Sequence, residues 1–142
     1  MVSEKRPDAF VCNVATAGVF VHANGKMLYL QNSEKPFEDY KWAIPGGKRE
    51  GAETLKTCAA RELLEETKIV GVPQEIGKLY IAKPHFSFTF HIFELFLDEI
   101  PEVTLSKEHQ AYGWFSPDEL LNIDLISGGE EVLQWYLNFS KG

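Results

Sequence analysis

Cysteine is nearly absent from this 142-residue chain. The two present, Cys12 and Cys58, are too few and too isolated for a disulfide framework or a thiolate zinc site. A reducing compartment is therefore the default, and any bound metal should have oxygen ligands. Basic charge is also scarce: 14 Lys and Arg stand against 21 Asp and Glu, a formal net charge of -7. That balance argues against the broad basic surface with which proteins grip duplex nucleic acid or anionic membranes, while leaving a local anion site open. No run approaches the roughly 20 apolar residues that span a bilayer. The nearest imitation of a leader is Ala9 to Val21 behind Lys5 and Arg6, with Val21-His22-Ala23 loosely like a peptidase site. Pro7, Asp8, Asn13 and Thr16 interrupt it, and Asn24-Gly25, a strong hairpin signal, follows. A buried strand explains the segment better, and a cytoplasmic location without membrane contact is expected.

Internal repeats, low-complexity tracts and linkers are missing too, so a single domain over residues 1–142 is expected. Lys26 to Gln31 reads as the strand returning from Asn24-Gly25 and pairing with the Val11 to Val21 region. Trp42-Ala43-Ile44 is a short apolar strand stopped by Pro45-Gly46-Gly47. From about Ala52 to Thr67 the chain is rich in Ala, Leu, Glu, Lys and Arg without Gly or Pro, which predicts a helix. Glu75 to Lys83 and Phe86 to Leu97 read as strands, the second with Phe86, Phe88 and Phe90 on one face and His85, Ser87, Thr89 and His91 on the other. Val103 to Leu105 and Trp114-Phe115 are further short strand candidates. Ser116-Pro117-Asp118-Glu119 is a helix start with proline at the first helical position, and Glu130 to Phe139 is an amphipathic helix. Strands with two or three helices make an α/β domain.

The long helix carries an anomaly. Its core-facing stripe runs through Leu55, Cys58 and Ala59, then reaches Glu62, Glu65 and Glu66 before Ile69 resumes the apolar pattern. These acids also lie in the last turns, where the helix macrodipole disfavours anions. Two unit charges about 6 Å apart repel by about 2 to 3 kcal/mol at an effective dielectric near 20, so the cluster is costly without a counter-charge. Arg61 and Lys68 screening a solvated face would suffice, and the cluster alone leaves that reading level with a bound cation. The preceding Pro45-Gly46-Gly47-Lys48-Arg49 segment tips the balance, because it offers backbone carbonyls to a metal and basic side chains to phosphate oxygens. Oxygen ligands select Mg²⁺ or Mn²⁺, ions that bridge protein carboxylates and substrate phosphates.

Gly47, five residues, Glu53, seven residues and then Arg61-Glu62-Leu63-Leu64-Glu65-Glu66-Thr67-Lys68-Ile69 resembles the box of the Nudix hydrolase family, G-x5-E-x7-R-E-U-x-E-E-x-G-U with U aliphatic. Every charged position matches over 47–69. The Trp-x-x-Pro-Gly-Gly approach and the late Trp114 to Leu120 segment are also similar to the family, so the resemblance extends from about residue 10 to 137. It implies an α/β/α sandwich with a mixed sheet and hydrolysis of a phosphoanhydride bond in a nucleoside diphosphate linked to another group. By position, Glu62, Glu65, Glu66 and the Gly46 carbonyl would bind Mg²⁺, with Mn²⁺ as an alternative. The ion would neutralise diphosphate charge and polarise the attacked phosphorus. Glu53 and Arg61 would pair and brace the loop against the helix. Lys68 departs from the family glycine. A side chain in a left-handed helix cap costs about 1 kcal/mol, unless the helix runs on.

Leu105 to Trp114, with Glu108-His109-Gln110-Ala111-Tyr112, is similar to the diadenosine tetraphosphate hydrolases within that family. Glu108 would then join Glu65 and Glu66 as a catalytic carboxylate, as a further metal ligand or general base, against the alternative of an exposed loop acid. His109 and Tyr112 read as packing or hydrogen-bonding residues. Before the box those relatives carry Pro-Lys-Gly-His, where this chain has Pro45-Gly46-Gly47-Lys48. Lys48 and Arg49 are candidates for phosphate contacts and Phe88 for base stacking, although strand aromatics, Trp42 and Trp114 included, more often pack the core. The expected partner is a small nucleotide bound by a monomer or homodimer. A nucleoside or dinucleoside polyphosphate comes first. ADP-ribose-type nucleotide sugars, noncanonical nucleoside triphosphates, RNA 5′ ends and a noncatalytic nucleotide sensor are the alternatives.

Overall fold

Period-two alternation along the strands sorts the apolar residues into two layers. A computed structural model describes residues 1–12, 14–34, 38–84 and 86–141. Their elements run β1 (Val2–Ser3), β2 (Ala15–Ala23), β3 (Lys26–Asn32), β4 (Trp42–Ala43), β5 (Gly46–Lys48), α1 (Leu55–Thr67), β6 (Gln74–Ala82), β7 (Ser87–Leu97), β8 (His109–Phe115), α2 (Pro117–Leu120) and α3 (Gly129–Lys141). Ala17, Val19 and Val21 of β2, Leu28 and Leu30 of β3 and Phe93 and Leu95 of β7 bury one face of the sheet with Cys58, Ala59 and Leu63 of α1. Their sequence neighbours Phe20, Met27, Tyr29 and Ile92 bury the other face with Leu120 of α2 and Val132, Leu133 and Tyr136 of α3. Helices therefore cover both sides of the sheet, the expected α/β/α sandwich.

The sheet is mixed, with strand order β1-β6-β7-β2-β3-β4 and β5 and β8 attached to β2 and β3. β2 pairs parallel with β7 along its whole length, from Ala15↔Thr89 to Ala23↔Leu97. Its other edge is shared: Thr16 to Gly18 pair with Lys48 to Gly46 of β5, and only His22 and Ala23 pair with β3. The sheet forks there. The turn between β2 and β3 places Asn24 at φ 53° and Gly25 at φ 78°, the two positive angles that a two-residue hairpin of this type requires.

Several sequence expectations shift. The first long strand begins at Ala15 rather than Val11, and the helix begins at Leu55 rather than Ala52, because Thr54 caps it by accepting from the Thr57 amide at 3.1 Å. Gly46 and Gly47 extend a ladder instead of stopping one. β5 lies so close to β2 that a Cβ on Gly46 would overlap the Ala17 carbonyl oxygen, so the glycines serve close approach rather than a turn. Val103 to Leu105 form no strand. Val103 and Leu105 pack against the α1-side core, and the backbone is tied down by Thr104 N–H donating to the Thr67 carbonyl at 3.0 Å. Phe86 falls outside β7 and is exposed, while His85 lies outside the described residues. Ser116 and Glu119 form the expected capping box at α2.

Candidate active site

α1 presents Glu66 on its buried face, beside Cys58, Ala59, Leu63 and Thr67. This is the interruption visible in the sequence, and the structure shows how it is tolerated. Glu66 is 4% exposed, and its Oε1 accepts a hydrogen bond from the Gly46 amide of β5 at 2.8 Å. A buried carboxylate is costly unless its oxygens find such partners. The helix end also organises the segment that follows β7: the Glu66 carbonyl accepts from the Ser106 amide at 3.3 Å, and the Ser106 carbonyl accepts from the His109 amide at 3.3 Å. Those bonds bring Glu108 and His109 to Glu66. His109 Nε2 stands 4.0 Å from Glu66 Oε2, and atoms of Glu66, Glu108 and His109 able to bind a metal lie within 4.8 Å of one another. A donor set of two carboxylates and an imidazole suits a divalent cation.

Arg61 gathers the other acids. Its Nη2 donates to Glu53 Oε1 at 2.7 Å and to the Lys48 carbonyl at 3.0 Å, and its Nε donates to Glu53 Oε2 at 3.0 Å. Nη1 donates to Glu62 Oε1 at 3.0 Å and to Glu65 Oε2 at 3.2 Å. Glu53 in turn accepts from the Glu50 amide at 2.8 Å. The two-pronged grip on Glu53 is the pairing that planar guanidinium geometry favours. Hydrogen bonds from Arg61 and from the Glu50 backbone hold the Glu53 carboxyl down at about 2, and the same contact with Glu53 pushes the Arg61 guanidinium up. Burial raises the Glu62 carboxyl despite Arg61, so Glu62 is the acid of this set most in need of further positive charge.

A cavity of about 500 Å³ opens in the fork of the sheet. Its lining combines Gly46, Gly47, Lys48, Glu62, Glu66, Glu108 and His109 with Trp42, Ile44, Phe88, Phe90 and Ile126. Gly47 is required beside the acids, because a Cβ there would meet the Glu62 carboxylate at 2.5 Å. Among the residues expected at the site, Lys48 and Phe88 line the cavity and Arg49 does not; Arg49 is exposed and engages Ala15 through its backbone amide. Glu65 is exposed and held by Arg61, outside the cavity lining. Gly46 meets Glu66 through its amide. Lys68 terminates α1 in the left-handed conformation at φ 67°, with its amide donating to the Leu64 carbonyl at 2.9 Å, so the helix does not run on.

The sequence assigns His109 to packing or hydrogen bonding, and it is buried facing Glu66. Tyr112 is 45% exposed rather than packed. Lys83 was missed. It lines the cavity, stands 5.7 Å over the Phe88 ring and pairs with Glu38 at 3.4 Å. Its place just past β6, 14 positions beyond the box, gave no local signal. Trp42 lines the cavity while packing edge-on against Phe115 at 5.2 Å.

The NUDIX domain model matches residues 13–136. CTP pyrophosphohydrolase of Escherichia coli (strain K12) is 28% identical over 127 residues, covering 87% of this chain and 91% of that protein. Phosphatase NudJ of the same strain is 33% identical over 109 residues, covering 75% of this chain and 70% of that protein. Among solved structures, the MutT protein from Methanosarcina mazei Go1 superposes with a TM-score of 0.79 at 26% identity, over 90% of this chain and 94% of that one. A Caenorhabditis elegans (C. elegans) Ap4A hydrolase binary complex superposes with a TM-score of 0.75 at 22% identity, over 91% and 98%, and shares the fold. With Glu62 and Glu66 of the box lining the cavity and the family model spanning nearly the whole sequence, this chain belongs to the NUDIX domain family and is a Nudix hydrolase.

Proposed function

We propose that this hydrolase cleaves a phosphoanhydride bond of a nucleoside or dinucleoside polyphosphate with the aid of Mg²⁺ or Mn²⁺. The observation that carries the reading is a cavity whose lining combines carboxylates and an imidazole with aromatic rings. A nucleotide combines the same two chemistries. Its diphosphate belongs with the acids and its base against Phe88, where a flat apolar ring supports stacking. The ion, when bound, supplies charge neutralisation and electrophilic polarisation of the attacked phosphorus. Glu62, Glu66, Glu108 and the Gly46 carbonyl would hold it, while Glu65 stays with Arg61 outside the cavity lining. The donor set fits such an ion, since the Glu66 carboxylate is fixed by the Gly46 amide and faces Glu108 and His109 within 4.8 Å.

The chain's own groups do the rest. Lys48, which lines the cavity, would meet a phosphate oxygen. Arg61 fixes Glu62 and the Glu53 loop, holding the acids in position before substrate arrives. Glu108, exposed at the cavity wall, is the carboxylate free of an Arg61 contact that faces Glu66 and serves as general base or further metal ligand. The test is a nucleotide panel of CTP, other nucleoside triphosphates, diadenosine tetraphosphate and ADP-ribose assayed with Mg²⁺ and with Mn²⁺. CTP is included because of the pyrophosphohydrolase relative and the dinucleotide because of the Glu108 to Trp114 segment. Hydrolysis of one or more members, abolished by a chelator, supports the reading. Inertness of the folded protein toward the whole panel with both ions defeats it.

A further inference from the structure

We propose that His109 supplies a nitrogen ligand to the divalent ion of this site, and that the site therefore prefers Mn²⁺ to Mg²⁺. The inference rests on the carboxylate metal site proposed above and adds a ligand whose chemistry separates the two ions. His109 opens β8 opposite Asn32, at a register irregularity of the β3–β8 ladder. The irregular pairing and the His109 amide's bond to the Ser106 carbonyl fix where the side chain emerges. The imidazole is 6% exposed, facing a Glu66 carboxylate that is 5% exposed.

The spacing is informative. At 4.0 Å, Nε2 of His109 and Oε2 of Glu66 are too far apart for a direct hydrogen bond to each other. One divalent ion would take both groups into its donor set. The Glu108 carboxylate closes a third side within 4.8 Å. A histidine that only packed the core would be expected to turn toward apolar neighbours, whereas this one shares its enclosure with two acids. Mg²⁺ takes oxygen ligands and dehydrates reluctantly, while first-row divalent ions accept imidazole readily, so one nitrogen in the set shifts the preference.

The test loads the full-length protein with Mn²⁺ and reads nitrogen hyperfine coupling to the ion by pulsed electron-spin-echo spectroscopy, alongside Mn²⁺ and Mg²⁺ titrations by calorimetry. Wild type should show coupling to a directly bound nitrogen. His109→Gln should lose that coupling and weaken Mn²⁺ binding about tenfold or more, on the scale of losses around metal sites, with Mg²⁺ affinity changed less than about threefold. The wild-type spectrum does not depend on how a variant folds, and His109→Asn provides a second comparison with circular dichroism as the control. Bound Mn²⁺ without nitrogen coupling would overturn the ligation by His109 and leave the carboxylate site standing. Absence of saturable Mn²⁺ binding would remove both.

Discussion

The Gly46 amide donates to the carboxylate of Glu66 at 2.8 Å, joining the last turn of α1 to β5. Glu66 is thereby fixed with Oε1 on the Gly46 amide and Oε2 toward His109. Glu66→Gln retains the size and removes the charge. Turnover on the best substrate of the panel should fall about 100-fold or more, since a bound metal contributes several kcal/mol to the transition state. Equal rates for the variant and wild type would show that the charge of Glu66 takes no part.

Glu108→Gln separates catalysis from decoration. Glu108 faces the cavity but is exposed, so its substitution should leave the melting temperature nearly unchanged while lowering kcat by about 100-fold, the scale of general-base or ligand loss. A change in kcat below about threefold would return it to the status of an exposed loop acid.

Acid stability should report Glu53. Its carboxyl is held at about 2 against an ordinary value of 4.5, chiefly by Arg61. A carboxyl depressed on folding contributes stability that is complete above the unfolded value and disappears as pH falls through the folded one. Thermal melts between pH 4.5 and 2 should therefore lose stability more steeply in wild type than in Glu53→Gln. Parallel profiles would contradict the contribution of the Glu53–Arg61 pair.

Lys68→Gly tests the helix end. The left-handed backbone at φ 67° penalises any side chain, so glycine should stabilise the fold by about 1 kcal/mol, raising the melting temperature by a few degrees with turnover nearly unchanged. A tenfold change in turnover, about 1.4 kcal/mol in the barrier, would place Lys68 in the chemistry instead.

Thiol chemistry should distinguish the two cysteines. Cys58 is fully buried, and burial together with the nearby Glu53 charge pushes its thiol up to about 11. Relative to an ordinary thiol near 9.0, its thiolate fraction at neutral to mildly alkaline pH is about 100-fold smaller. Iodoacetamide applied to the native protein should modify Cys12 and spare Cys58, as read by peptide mass spectrometry. Equal labelling would show that the α1-side core opens readily.

Local signals in the sequence were sufficient for α1, the Asn24-Gly25 hairpin and the α2 cap, because each depends on residues within a few positions of one another. The Glu53–Arg61 contact was implied by the resemblance to the Nudix box rather than by local spacing. The association of Glu66, Glu108 and His109 was harder to see. It depends on a chain reversal after β7 and on single hydrogen bonds such as Ser106 to the Glu66 carbonyl. A histidine beside an acid in a strand leaves no periodic trace that separates a ligand from a packed ring. β5 escaped for a different reason. Glycines ordinarily weaken a strand, but here the partner backbone comes so near that nothing larger fits, a tertiary demand that overrides propensity. Val103 and Leu105 misled in the opposite sense, since apolar alternation served core packing without a ladder.

The division of β2 between β5 and β3 has a consequence for how this enzyme could acquire new substrates. The binding space is lined in part by β2, β3 and β5, so the fork of the ladders sets part of its width. Side chains projecting inward, such as Trp42, Phe88 and Lys83, are the adjustable parts. Exchanging them would change the shape of the binding space without replacing Glu62, Glu66 or Glu108, so selectivity and chemical power can drift independently.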